Sequence, residues 1–172
     1  MSSTKSPFRI NVGFIVHQTV GYSRDFPFEY PSITLPPDLN LKNLTGTLRV
    51  TRTAQGLLLQ ALIQAETTAE CARCLEEFTI KLETDSTELY AFSANSVTDS
   101  ELILPENGIL DFTPILREEM LLAMPISPIC RPDCKGLCSV CGENKNHGDC
   151  NHEEEEIDPR LDILKSFLEE NN

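Results

Sequence analysis

Basic residues are scarce in this chain, and nowhere is it apolar for long. Lysine and arginine number 14 against 27 aspartates and glutamates, for a formal charge of −13. Affinity for nucleic acid rests largely on cations meeting phosphates. A chain this short of cations is poorly equipped to grip bare RNA or DNA, and its field suits a basic protein partner better. The longest apolar runs are a few residues, as in Leu57-Leu58-Leu59, too short for a membrane-spanning helix. The opening Met-Ser-Ser-Thr-Lys-Ser-Pro-Phe lacks the apolar region of a secretory signal and is too short to read as a transit peptide. A reducing, cytoplasmic setting in a bacterial protein is therefore expected. Also missing are a glycine-rich phosphate loop and a nucleophile motif. Glu76-Glu77 and Glu118-Glu119 are carboxylate pairs only in sequence, because neighbours on a strand or helix point apart. No catalytic centre and no small-molecule substrate are implied.

What the chain does have is cysteine in clusters. All seven cysteines lie between Cys71 and Cys150. Cys71-Ala-Arg-Cys74 stands alone, and Cys130-Arg-Pro-Asp-Cys134, Cys138-Ser-Val-Cys141-Gly142 and Cys150-Asn-His152 follow. With His152 they make eight soft ligands, the number two tetrahedral zinc sites would use. In a reducing compartment such spacing reads as metal ligands or a redox pair before disulfides. Cys138, Cys141, Cys150 and His152 are assigned to one site, and Cys71, Cys74, Cys130 and Cys134 to a second. One or two zinc ions fit this count. Four protein ligands close a site to water, which predicts architecture rather than catalysis. Iron–sulfur binding is an alternative from spacing alone, but His152 and the knuckle glycine favour zinc. A thioredoxin-type role for Cys71-x-x-Cys74 fits less well, since strand-like sequence lies on both sides rather than a helix after a strand. His147 could stand in for His152, whereas His17 reads as a structural or surface histidine. Arg73, Arg131 and Lys135 sit beside cysteines, where they could face RNA or a partner, or stabilise thiolates.

The fold expected is α+β: a mainly antiparallel β-sheet, two short helices and a C-terminal zinc-knuckle module, divided at 1–128 and 129–172. Alternation predicts strands over Phe8–Val16, with Ile15 the exception, and over Phe26–Tyr30. Leu35-Pro36-Pro37-Asp38 reads as a loop, Leu44–Thr53 as a strand and Ala54-Gln55-Gly56 as a hairpin turn. Leu57–Glu70 suits strand or helix. Strand is favoured because Phe78, Ile80 and Leu82 then alternate in a partner, with Cys71-x-x-Cys74 as the turn between. Ser93–Glu101 reads as a polar loop. Thr113 and Pro114 mark the N-cap and first turn of a helix over Ile115–Ala123. A second helix is expected from Asp158-Pro159, with Leu161, Leu164 and Leu168 on one face. The segment between the helices lacks hydrophobic periodicity, so a metal is the natural source of order there. Glu143 onward holds ten acidic and three basic residues, and two filled sites would take the whole chain to about −16.

The string Cys71-Ala-Arg-Cys74-Leu75, Glu118-Glu119 to Met124-Pro125, Pro128-Ile129-Cys130, Asp133-Cys134-Lys135-Gly136-Leu137-Cys138, Cys141-Gly142 and Asp158-Pro159-Arg160 resembles the YceD family, the large ribosomal RNA subunit accumulation proteins. The resemblance runs from about Phe8 to Phe167. Ser139 replaces a usual proline, Lys145 interrupts an Asn-Leu-Asn string, and His152 replaces a usual cysteine, a change that alters the ligand chemistry while histidine can still bind zinc. The resemblance implies a non-enzymatic role in ribosome biogenesis, supporting synthesis, processing or stability of large-subunit RNA. Its partner would be a large-subunit precursor or a basic ribosomal protein. A zinc-ribbon adaptor for the transcription machinery and a thiol-redox or zinc-sensing protein are the competing readings.

Overall fold

The computed structural model describes residues 7–93, 102–148, 150 and 152. Its order is β1 (Arg9–Asn11), α1 (Gly13–Val16), β2 (Ser23–Leu35), β3 (Leu39–Arg52), β4 (Gly56–Glu70), β5 (Glu77–Ala91), β6 (Ile109–Asp111) and α2 (Thr113–Leu122). Strands β2 to β5 form an antiparallel meander in chain order, and β1 pairs antiparallel with β6. The mainly antiparallel expectation therefore holds. Leu57–Glu70 is a strand, paired along its whole length with β5 from Gly56↔Ala91 to Glu70↔Glu77. Its odd positions are the reason: Leu57, Leu59, Ala61, Ile63 and Ala65 are all buried, which a helical arrangement of the same residues would scatter around its circumference. Burying a leucine or isoleucine side chain is worth about 1.5–3 kcal/mol, so that period settles the segment's conformation.

The buried face of the meander packs against Phe8, Val12, Ile15, Leu110, Phe112, Leu116 and Met120. Phe8 meets Phe28 and Tyr30 edge-on, with ring centroids 5.5 and 5.3 Å apart. Helix α2 is fixed by three polar contacts: Thr84 Oγ1 donates to Glu119 Oε2 at 2.8 Å, and Arg117 donates to Leu35 O at 3.2 Å and to Asp38 Oδ1 at 2.7 Å.

Two expectations need correction. Phe8–Val16 is not one strand. The amides of Val12 and Gly13 both donate to Gly108 O, at 2.8 and 3.2 Å, and the chain then coils into α1. Ile15, the residue that broke the alternation, is the one this turn buries completely. Thr113 is not the N-cap. Phe112 occupies that position, and Asp111 Oδ1 accepts from Thr113 N at 3.0 Å and from Thr113 Oγ1 at 2.6 Å. The helix expected from Asp158 lies outside the described residues, as does Ser93–Glu101 beyond Ser93. No helix among the described residues is long and apolar enough to cross a membrane.

Candidate metal centre

The turn between β4 and β5 carries Cys71 and Cys74. Cys71 N donates to Glu76 O and Leu75 N donates to Cys71 O, both at 2.9 Å. The second pair repeats this geometry: Cys138 N donates to Glu143 O at 2.8 Å and Gly142 N to Cys138 O at 2.9 Å. Each turn needs a left-handed residue after its second cysteine. Gly142 has φ 75°, and Leu75 takes φ 60° although it carries a Cβ. That conformation costs a non-glycine residue about 1–2 kcal/mol, and persists where the surroundings over-determine it.

After α2 the chain returns to this turn. Ala72 N donates to Pro128 O at 2.8 Å, which delivers Cys130 and Cys134 to the first cysteine pair. The sulfurs of Cys71, Cys74, Cys130 and Cys134 all lie within 4.8 Å of one another. Cys74 Sγ is 3.7 Å from Cys130 Sγ, and Cys71 Sγ is 3.9 Å from Cys134 Sγ. A disulfide would need about 2.0 Å. A tetrahedron with metal–sulfur arms of about 2.3 Å has edges of about 3.8 Å, which these separations match. Cys138, Cys141, Cys150 and His152 form the second group, their ligand atoms likewise within 4.8 Å. Either group could hold a metal ion, and the grouping is the one expected from spacing. The first is the more enclosed: Cys71, Cys74 and Cys134 are buried, whereas Cys141 and His152 are exposed.

The thiols are electrostatically divided. Cys71 is pulled down to about 6, chiefly by the Cys130 amide, 3.4 Å from its sulfur. Cys134 is lowered first by the Asn146 side-chain amide. Cys130 is pushed up to about 12 by burial and then by its neighbouring thiols. For Cys74 the Glu76 amide favours the thiolate, but burial together with Cys71 and Cys134 outweighs it and the net direction is upward. Cys138 falls to about 6 through the amides of Cys141 and Val140, and Cys150 rises to about 11 through Cys138 and burial. In each group some thiols ionise readily and then hold the protons on others. A divalent cation removes that conflict, because thiolates are its ligands.

His147 does not join the second group. Its Nε2 faces Glu76 Oε1, and that contact is the main reason the Glu76 carboxyl lies below its usual range. The two flanking arginines and the Lys135 backbone are tied into the fold. Arg73 Nη1 donates to Cys134 O at 3.1 Å and Arg131 Nη2 to Asn146 Oδ1 at 2.8 Å, while the Lys135 amide also reaches Asn146 Oδ1 at 2.9 Å. Gly136 and Asn146 stand in the strings that carry the family resemblance, but spacing assigned neither of them a role at the site. A glycine between Cys134 and Cys138 was the available signal for Gly136, and the interrupted Asn-Leu-Asn string was the one for Asn146.

The family model described as "Large ribosomal RNA subunit accumulation protein YceD" matches residues 59–168. The chain belongs to the YceD family. Its similarity to an uncharacterized protein of Mycobacterium tuberculosis is 38% identity over 126 residues, covering 70% of this chain and 60% of that protein. The uncharacterized protein YlbN of Bacillus subtilis is 27% identical over 112 residues, 64% of this chain and 65% of that one. This YceD-family chain thus spans about 60% of the length of the Mycobacterium bovis and Mycobacterium tuberculosis relatives it matches. No solved structure matches it.

Proposed function

We propose that this chain is a non-catalytic factor supporting the accumulation of large-subunit ribosomal RNA in the cytoplasm. Membership of the YceD family carries this reading. In it, two zinc ions bind Cys71, Cys74, Cys130 and Cys134, and Cys138, Cys141, Cys150 and His152, fastening a module from residue 129 onward to the end of the β4–β5 hairpin. Four protein ligands per ion leave no open position for water, so the metals act as staples.

The partner is a basic polypeptide of the large-subunit precursor rather than naked RNA. The net charge of −13 repels phosphates. The outer face of the sheet is acidic as well: Glu29 and Glu83 share one cross-strand row, and Asp85 lies beside the exposed Leu62 in the next. These side chains line a shallow depression of about 600 Å³. Arg73 and Arg131, two of the cations the sequence offered for RNA contact, are hydrogen-bonded within the fold.

The test is the sedimentation profile of ribosomal particles, with rRNA probing, in cells depleted of the protein. Selective loss of large subunits and their RNA is expected. An unchanged subunit ratio would refute the assignment.

A further inference from the structure

Asn146 belongs to the loop that the second ligand group closes, between Cys141 and Cys150, yet its side chain serves the first group. Its Nδ2 donates to Cys134 Sγ at 3.4 Å. Its Oδ1 accepts from Lys135 N at 2.9 Å and Arg131 Nη2 at 2.8 Å, holding the Cys130–Cys134 segment. Asn144 sets the position of this amide, its Oδ1 accepting from Asn146 N at 2.9 Å and Asn146 Nδ2 at 2.7 Å. The loop is registered against the segment leading into Cys138 by Lys145 N to Gly136 O at 2.9 Å and by the Leu137–Asn144 bridge. Beside it, His147 meets Glu76, two residues after Cys74. The second group therefore fixes the loop, and the loop delivers an N–H donor to a sulfur of the first. Donors of this kind hold a ligating thiolate in its charged form and fix its direction, and removing one costs about 10–100-fold in metal affinity.

We infer that Asn146 is a positioning residue coupling the two ligand groups, so that metal binding at Cys138, Cys141, Cys150 and His152 tightens binding at Cys71, Cys74, Cys130 and Cys134. This rests on both groups binding metal, as proposed above. Linkage makes the effect reciprocal.

The full chain, stripped of metal, is titrated with Co²⁺, whose absorption distinguishes a four-thiolate site from a three-thiolate, one-imidazole site. Zinc affinities follow from competition with a chromophoric chelator. Disabling the second group with Cys141→Ser and Cys150→Ser is expected to weaken the four-thiolate site roughly tenfold or more. Asn146→Ala weakens it to a similar extent while the second site still fills. Adding the two serine substitutions to Asn146→Ala then causes little further loss, because both changes remove the same contact. Asn144→Ala, which releases the Asn146 amide without touching a sulfur, gives a smaller loss in the same site. Independent filling in the wild type, or additive losses in the combined variant, would overturn the coupling while leaving two-metal binding intact. Absence of metal binding at either group would overturn both this inference and the metal reading.

Discussion

Replacing Gly136 by alanine tests how the two cysteine turns are joined. Gly136 has φ +73°, and a Cβ there would lie 3.1 Å from Arg73 O and 3.5 Å from Arg73 Cβ. The left-handed backbone alone costs an alanine about 1–2 kcal/mol. The close approach adds to this, since Arg73 O accepts from Leu137 N at 3.1 Å and must move with the intruding methyl. Losing most of that hydrogen bond costs about 1 kcal/mol, for a total of about 2–3 kcal/mol. Gly142 provides the comparison, with φ +75° and nothing within 4 Å of an added Cβ, so Gly142→Ala costs the strain alone. Gly148 also has open space and carries no positive φ, so Gly148→Ala is nearly silent. On the metal reading proposed above, this region orders together with its metals, so its folding energy is read as metal affinity. Chelator competition should show zinc binding weakened about 30–100-fold in Gly136→Ala, about tenfold in Gly142→Ala and hardly at all in Gly148→Ala. Equal losses at Gly136 and Gly142 would refute the steric part of the reasoning. A silent Gly142→Ala would refute the strain part.

Three further outcomes are expected. Cys71 and Cys138 of the metal-free chain lie near 6, below the ordinary thiol value of 9.0, so their contribution to stability is full above about 9 and disappears as pH falls through about 6. Cys130 and Cys150, raised to about 12 and about 11, favour the fold below about 9 and cease to do so as pH climbs. Ultraviolet thiolate absorbance should therefore rise in separated steps, and denaturation midpoints of the apo-protein should increase from pH 6 to 9; a single titration near 9 would contradict this. Leu116, fully buried between α2 and the sheet, and the cysteine cluster belong to separate cores. Leu116→Ala should cost about 2–5 kcal/mol in thermal or chemical unfolding without altering metal stoichiometry. Chelation should do the opposite, leaving the far-ultraviolet β signal in place while perturbing amides around 71–76 and 130–147.

Much of this was legible because the responsible forces are local. Alternating apolar residues placed β2, β4 and β5, since one buried face of a strand leaves a period of two in the sequence, while threonine content placed β3 and proline, glycine and cysteine marked the turns. Ligand spacing sorted the eight candidate metal ligands into two groups, because a Cys-x-x-Cys turn brings two sulfurs together whatever surrounds it. The sequence could not show that Phe8–Val16 breaks after three paired residues. That depends on Gly108, remote in sequence, capturing the amides of Val12 and Gly13. Nor could it show Leu75 in a left-handed conformation, which its own propensity opposes and the shared hydrogen-bond pattern of the two turns imposes. The contacts of Gly136 with Arg73 and of Asn146 with Cys134 join segments more than ten residues apart. The sequence by itself determined which residues can bury a face or ligate a metal. Tertiary structure decided which surfaces meet, because long-range pairing depends on the fit of two assembled surfaces and leaves no period in either strand of sequence.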